Sequence, residues 1–454
     1  MDVDICFYDF WHSGNASTTK DATKMITAIE KFIHGTMFQI ASWFLAIFPI
    51  MIAALSVNSS RLFLLNRVRV ETESLNPHEK DLFDAKQKWP LISIVIPARD
   101  EEGSVEATVR AALKLDWPKI EVIVINDGSV DKTREIVKQL KSELAITVIN
   151  HEIPQGKSIS LNEGLKAASS EVVMILDADG IPARNVLSRM VPHFYLFENV
   201  LAVAGNPRII NTPNLLSKLQ AIEFSSTIST LRRGQSAWGR INTISGIMAL
   251  LRRDKVLELG GFAFDQPTED IELTWRIHRE GYRCVYEPAA QVGMKVPLTI
   301  RHWFKQRRRW GSGLIRVLQK HGFHIIRNWE WPAFPLLLEA TLAIIWCHLL
   351  LLFIILWLVV TTFSEPTFAS PLGIGRWGAM AVGVSILQII WGMHLDRSHD
   401  RSIIKLWPLA PLYPLFYWSL SAFVVVWTTI PTLLTKPKKI LWQSPGRFDL
   451  RNAN

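Results

Sequence analysis

The chain has 454 residues, 49% of them hydrophobic and 20% charged, with 50 Lys+Arg against 41 Asp+Glu for a formal net charge of +9. The length allows two or three domains, and the apolar excess predicts that part of the chain lies in lipid. The basic excess excludes a nucleic-acid reader rather than suggesting one: residues 295–329 carry nine Lys/Arg and no Asp or Glu, accounting for the whole imbalance, and abut apolar runs instead of a base-reading motif.

Residues 1–35 are polar and mixed in charge, without the basic start and apolar core of a cleaved signal peptide, and are expected outside the membrane. Residues 36–57 contain no charge, enough to cross a bilayer core of roughly 30 Å. Arg61, Arg67 and Arg69 follow, so this transmembrane element (36–63) should end at the cytoplasm. Cys6, Cys284 and Cys347 lack metal-ligand spacing, and no disulfide framework is expected.

From 89 to 295 the pattern alternates. Strands are predicted at 91–98, 121–127, 145–151 and 172–179, and helices at 104–114, 131–141 and 158–168. Short apolar runs alternating with helices imply an α/β domain with a parallel sheet, which binds ligands at the carboxyl ends of its strands. Asp127 ends one strand, and Asp177 and Asp179 end another. Residues 213–233 read as an amphipathic helix with Leu215, Leu216, Leu219 and Ile222 on one face. Docking of that face at the membrane interface is expected over an ordinary core-facing helix.

The basic segment, within a unit at 296–330, should lie at the cytoplasmic surface, its charges against anionic lipid. Within the membrane region (333–434), residues 333–360 and 374–393 form two spans, and Arg397, Arg401 and Lys405 follow the second. Residues 403–434, interrupted by Pro408, Pro411, Pro414 and Pro431, are predicted as a broken helix or re-entrant pair. Either would return the basic tail (435–454) to the cytoplasm. Glu339 and His348 fall in the span at 333–360, where ionisable groups commonly line a polar path, although Glu339 is near enough to its end to snorkel.

Several short patterns carry chemistry. Asp177-Ala178-Asp179 offers two carboxylates suited to a divalent cation with diphosphate oxygens as co-ligands, but the same triplet also serves turns and caps. Asn126-Asp127-Gly128-Ser129 is equally a turn, and Lys157 is either a phosphate partner or a solvated lysine. Thr268-Glu269-Asp270 opens a helical run, where acids favour the helix dipole and where a general base could be held rigidly. Gln306, Arg309 and Trp310 supply an amide, a phosphate-clamping guanidinium and an aromatic platform for a sugar ring. Arg307 and Arg308 are open between this chemistry and an interfacial role.

Taken together, from about Ile92 to Trp310, these patterns resemble the processive, membrane-integrated family 2 glycosyltransferases, which include cellulose, chitin and hyaluronan synthases. The resemblance implies a GT-A (Rossmann-like) cytoplasmic catalytic domain with amphipathic interface helices, inserted between N- and C-terminal transmembrane helices of a bacterial inner-membrane protein. It implies that Asp127, Lys157, Asp177, Asp179, Gln306, Arg309 and Trp310 bind a UDP-sugar and its acceptor. Asp179 would hold Mg2+ or Mn2+, and Asp270, with Glu269 beside it, would be catalytic. Gly205-Asn206-Pro207-Arg208-Ile209, Ile244-Ser245-Gly246, Leu251-Arg252-Arg253 and the tail Trp442-Gln443-Ser444-Pro445-Gly446-Arg447 look like the bacterial poly-β-1,6-N-acetylglucosamine synthases. That likeness implies UDP-N-acetylglucosamine as donor, a biofilm exopolysaccharide as product, and a small membrane partner with cyclic-di-GMP control; the tail is also similar to the loop that closes over UDP in hyaluronan synthases, which implies that role for Trp442 and Arg447. The chain departs from the pattern in having one predicted N-terminal span and an alanine between Asp177 and Asp179. A chitin-, hyaluronan- or cellulose-like synthase, a non-processive transferase to a lipid-linked acceptor, and a catalytically silent scaffold are the alternatives.

Overall fold

The computed structural model describes residues 35–74, 90–196, 199–363 and 375–435. Trp442 and Arg447 lie outside the described residues, as do residues 1–34.

Helix α1 (Thr36–Ser74) leads towards the sheet domain. There β1 (Ile92–Ala98), α2 (Val105–Leu113), β2 (Ile120–Asp127), α3 (Thr133–Glu143), β3 (Ile146–His151), α4 (Lys157–Ala167) and β4 (Val172–Leu176) alternate as the hydrophobic pattern predicts. β1 pairs in parallel with both β2 and β4, and β2 with β3. The strands are apolar on both faces because each face carries its own layer. Val105, Val109, Val137 and Leu140 cover one side, and Leu161, Leu165, Leu273 and Ile277 the other. Each such side chain, fully buried, stabilises the fold by about 1.5–3 kcal/mol before entropy is counted.

The rest of the sheet corrects the expectation of an all-parallel arrangement. β5 (Ile181–Pro182), β6 (Val200–Ile209), β7 (Met248–Arg252) and β8 (Arg283–Met294) complete eight strands in the order β3-β2-β1-β4-β7-β6-β8-β5. β7 is antiparallel to both β4 and β6, whereas β6 and β8 are parallel. Between β6 and β7 the chain visits the membrane-side helices, and β7 re-enters the sheet from that side, in the opposite direction.

Those helices are α5 (Leu215–Ile222), a π-helical stretch Glu223–Ile228, and α6 (Ser229–Ala237). Asn214 caps α5, its side chain accepting from Ser217 N. The apolar face expected at the lipid interface is covered by protein instead. Leu219 and Ile222 are buried among Trp303, Ile389, Met393 and Tyr417, and only Leu215 on that face stays half exposed. Lipid docking is unnecessary here because the last helices of the chain fold over the same stripe.

After α7 (Glu269–Arg279) and β8, the basic segment forms one long helix, α8 (Ile300–Arg327), with Thr299 accepting from His302 N at its start. α9 (Phe334–Phe363), α10 (Gly375–Asp396), a 3-10 stretch Arg401–Leu409, a π-helical turn Tyr413–Tyr417 and α11 (Trp418–Leu434) follow. By length and composition, four segments suffice to cross a membrane: Thr36–Leu65, Phe334–Leu356, Gly378–Asp396 and Tyr413–Leu434. Residues 403–434 thus form a broken helix with one span-length arm. The prolines break it at its start, where Pro408 and Pro414 remove backbone donors.

The membrane helices are tied to the sheet domain through charges. Asp396, fully buried at the end of α10, receives Arg208 Nη1 and Arg233 Nη2, each at 2.6 Å. α11 lies alongside α8: the Trp303 and Tyr417 rings meet at 5.4 Å, and Arg316 Nη2 donates to Thr435 Oγ1 at 2.8 Å.

Candidate active site

The site forms where the carboxyl ends of β2 and β4 face the first turns of α4 and α7. β4 stops at Leu176, and Asp177-Ala178-Asp179 is a turn beyond it. Asp177 N donates to Ile247 O at 3.0 Å, and Gly180 N to Asp177 O at 2.9 Å, so the turn is held from both sides. Lys157, the first residue of α4, places Nζ 2.7 Å from Asp177 Oδ1 and 3.1 Å from Glu269 Oε1. One ammonium therefore joins the turn after β4 to the start of α7.

Burial pushes the Asp177 carboxyl up to about 6, against the pull of Lys157, and the charge of Asp179 adds to the rise. Asp179 is raised for the same first reason, with Lys157, Lys295 and Arg309 opposing. Burial alone would lower Lys157, but Asp177 and Glu269 hold its ammonium above the ordinary range. Glu269 stays below its usual value despite burial because Lys157 and Arg309 face it. The corner is a crowd of carboxylates short of positive charge, which suits a cation. Among the described residues no group of three or more His, Cys, Asp or Glu could hold a metal by itself. The donor set fits a hard divalent ion only if oxygens come from a ligand as well.

Asp270 is held differently. Its Oδ2 accepts from Gly246 N at 2.9 Å and from Thr243 Oγ1 at 3.1 Å, while Oδ1 has no hydrogen-bond partner among the described residues. The loop 243–246 is stitched to the same helix, with Ile244 N donating to Thr274 Oγ1 and Thr274 Oγ1 to Asp270 O. Ser245 pays for this fit with φ +67°, a left-handed conformation that costs a non-glycine residue roughly 1–2 kcal/mol. A Cβ on Gly246 would lie 3.2 Å from Lys157 Nζ and 3.7 Å from both Asp270 Oδ2 and Glu269 Oε1. The absent side chain leaves the centre of the constellation open.

Asp127 is fully buried. Its Oδ1 accepts from Gln155 N at 2.7 Å and contacts His151 Nδ1 at 2.8 Å, and its Oδ2 accepts from Gly156 N at 2.9 Å. Gly156, at φ +104°, makes the turn that aims both amides at the carboxylate and starts α4 at Lys157. His151 Nε2 reaches Glu163 Oε2 at 2.6 Å, and the two carboxylates raise the imidazole although burial opposes them. Asp127 thus anchors the loop that delivers Lys157.

From the membrane side, α8 brings Gln306, Arg309 and Trp310. Thr268 fits into a notch at Gly313, where a Cβ would lie 2.1 Å from Thr268 Oγ1; only glycine lets α8 pass this close to the start of α7. Arg309 is exposed, donates to Pro267 O at 3.4 Å, and acts electrostatically on Lys157, Asp179 and Glu269. Gln306 Oε1 is buried without a hydrogen-bond partner among the described residues. Trp310 packs on the domain core with its ring edge-on to Phe224 at 6.3 Å. Of the residues named from the sequence, Lys157, Asp177, Asp179, Glu269, Asp270 and Arg309 face one corner, Asp127 anchors the loop that delivers Lys157, and Gln306 and Trp310 follow along α8, Trp310 beside Phe224 and Arg307. Sequence reading missed Thr243 and Lys295, the first visible only through its loop and the second taken for an interfacial charge.

The mannosyltransferase PcManGT from Pyrobaculum calidifontis, solved with GDP-Man and Mn2+, superposes with a TM-score of 0.53 over 81% of this chain and 99% of its own, at 22% identity. That likeness concerns the fold alone, and together with the family match that follows it defines the class: a GT-A glycosyltransferase domain flanked by apolar helices. Residues 93–260 match the model of Glycosyl transferase family 2. The poly-beta-1,6-N-acetyl-D-glucosamine synthase of Staphylococcus epidermidis is 32% identical over 364 residues, covering 79% of this chain and 88% of that protein. The synthase of the same name from Staphylococcus aureus (strain MSSA476) is 31% identical over 360 residues, 78% of this chain and 87% of its own. The chain belongs to glycosyl transferase family 2, in the family of the poly-β-1,6-N-acetyl-D-glucosamine synthases.

Proposed function

We propose that this protein polymerises N-acetylglucosamine from UDP-N-acetylglucosamine into a β-1,6-linked exopolysaccharide and passes the chain across a bacterial inner membrane, its catalytic domain in the cytoplasm. The observation that carries the reading is Asp270 with one engaged and one open carboxylate oxygen, set beside the Lys157–Asp177–Glu269 corner. Asp270 takes the proton from the 6-hydroxyl at the non-reducing end of the acceptor. That oxygen attacks the anomeric carbon opposite UDP, the bond from carbon 1 to the diphosphate oxygen breaks, and UDP departs, converting an α-linked donor into a β-linkage.

Lys157 and Arg309 meet the diphosphate, and Asp127 acts on the nucleotide through the Gln155-Gly156-Lys157 loop it anchors. Glu269 holds Lys157 in place. Mg2+ or Mn2+ would be held by Asp179, beside Asp177, together with diphosphate oxygens, and when bound supplies charge neutralisation for the leaving group. Trp310 offers its ring to the acceptor sugar, and Trp442 and Arg447 belong to the proposal as closing groups. Glu339, hydrogen-bonded by Gln235 Nε2 at 3.1 Å, supports a polar exit beside the domain. A small membrane partner with cyclic-di-GMP control enters on the resemblance alone.

Proteoliposomes holding the purified protein, supplied with labelled UDP-sugars in turn, test the reading. Incorporation from UDP-N-acetylglucosamine with 1,6-linkages on linkage analysis is expected. A product containing glucuronic acid, or only single-sugar transfer to lipid, would overturn it.

A further inference from the structure

Arg307 stands between Gln306 and Arg309 but faces a different environment. Its side chain is 12% exposed, and that of its partner Glu223 is 10% exposed. Nη1 donates to Glu223 Oε1 at 3.0 Å and Nη2 to Oε2, a two-pronged pair. The guanidinium carbon lies 4.4 Å from the Trp310 ring centroid, 5.8 Å from that of Trp303 and 5.9 Å from that of Tyr417. The Tyr417 hydroxyl donates to Glu223 Oε2 at 2.9 Å and accepts from Trp303 Nε1 at 2.8 Å.

A planar guanidinium can fork onto a carboxylate and stack on rings at the same time, which an ammonium cannot do. Desolvated between aromatic faces, that stacking is stronger than at an exposed site. Three distant parts of the chain meet here. Glu223 opens one π-helical stretch, Tyr417 closes the other, and Arg307 sits one turn before Trp310 on α8. Wide π turns recur at functional sites, and residues three apart on a helix lie on one face.

We infer that Arg307, fixed by Glu223 and Tyr417, is the positioning residue for Trp310. It occupies one face of the indole, so the acceptor sugar stacks on the other, and it couples that platform to the last membrane helix. The inference rests on Trp310 being the acceptor platform. Because the Arg307 guanidinium is taken up by Glu223 and the aromatic wall, and no ion pair joins it to Lys157, Asp177 or Glu269 among the described residues, its loss acts on acceptor use and leaves donor binding alone.

The test compares wild type, Arg307→Lys, Tyr417→Phe, Trp310→Ala and the double variant Arg307→Lys/Trp310→Ala in proteoliposomes. For each, the thermal midpoint, the KM for UDP-N-acetylglucosamine, UDP release without acceptor, and extension of a short β-1,6-N-acetylglucosamine oligomer are measured. Arg307→Lys should lower kcat/KM for the oligomer by about tenfold or more, with donor KM and acceptor-free UDP release within about twofold. Tyr417→Phe, which removes one hydroxyl and folds most safely, should give the same pattern at about threefold. The lysine effect should vanish in the Trp310→Ala background. Donor and acceptor parameters worsening together, or a full lysine effect without Trp310, would overturn the positioning role. Normal oligomer extension by Trp310→Ala would overturn the platform reading itself. Loss in Trp310→Ala with wild-type behaviour in Arg307→Lys and Tyr417→Phe would overturn only this inference.

Discussion

The two sides of the site are built on opposite principles. On the proposed nucleotide side, Asp177, Asp179 and Glu269 crowd round one ammonium, Lys157, and are short of positive charge. On the proposed acceptor side, Arg307 and Glu223 satisfy each other in a two-pronged pair walled by aromatic rings. The first arrangement can exchange partners when a diphosphate and a cation arrive. The second is already complete and has nothing to exchange. One side is an electrostatic socket and the other a preorganised rest, as expected where a charged donor leaves after each turnover and a neutral polymer must be held in register.

Removing the group that serves both sides should have the largest effect. Asp270→Asn should lower kcat for UDP release and for polymer formation by about 10²–10⁴-fold with little change in the donor KM. Unchanged turnover would remove Asp270 from its role. Breaking the sheet domain's attachment to the helix Gly375–Asp396 comes next. Asp396→Asn leaves Arg208 and Arg233 buried without their counter-charge, and unfolding in detergent should show a loss of about 3–5 kcal/mol.

The helix that carries the base supplies a pH signature independent of both sides. His278 is fully buried, with Nε2 2.9 Å from Ile241 O, and burial pushes its pKa down to about 4. A depressed histidine contributes stability that is complete above its unfolded value near 6.5 and is lost as pH falls towards 4. The free energy of unfolding should therefore drop across that window, by on the order of 3 kcal/mol at its lower end, and the thermal midpoint with it. His278→Gln should flatten the slope. Burial would raise Glu272, but His321, Arg276 and Lys320 hold it down to about 2, so its own contribution fades only below about pH 4.5. The smallest effect belongs to the socket. Lys157→Met should raise the KM for UDP-N-acetylglucosamine about tenfold while polymer length at saturating donor stays unchanged. A change in length would blur the division between the two sides.

Legibility in the sequence follows the same division. The strands β1 to β4 and the helices between them appear as local periods, but the fourth strand, predicted to 179, ends at Leu176 and leaves Asp177-Ala178-Asp179 in a turn, and the helix expected to follow Asp270 already starts at Glu269. Thr243 and Gly246 could not be assigned to Asp270, because a hydrogen bond across 24 or 27 positions leaves no periodic trace. The antiparallel entry of β7 was hidden for a similar reason, since an apolar strand reads alike in either direction. Leu219 and Ile222 were correctly seen as one apolar stripe, but composition does not distinguish a stripe that meets lipid from one that meets Tyr417 and Met393. Arg307 was legible as charge and illegible as structure, its partners lying 84 positions upstream and, through Glu223, at Tyr417, 194 positions from that carboxylate.

Those separations have a consequence for the order in which the protein is made. Glu223 is translated well before Arg307, and Arg307 well before Tyr417, so a nascent chain that has finished its sheet domain still lacks the wall that completes the pair. On the proposed reading, the acceptor rest is complete only once the helix ending at Leu434 has been synthesised and laid against α8, where Thr435 meets Arg316.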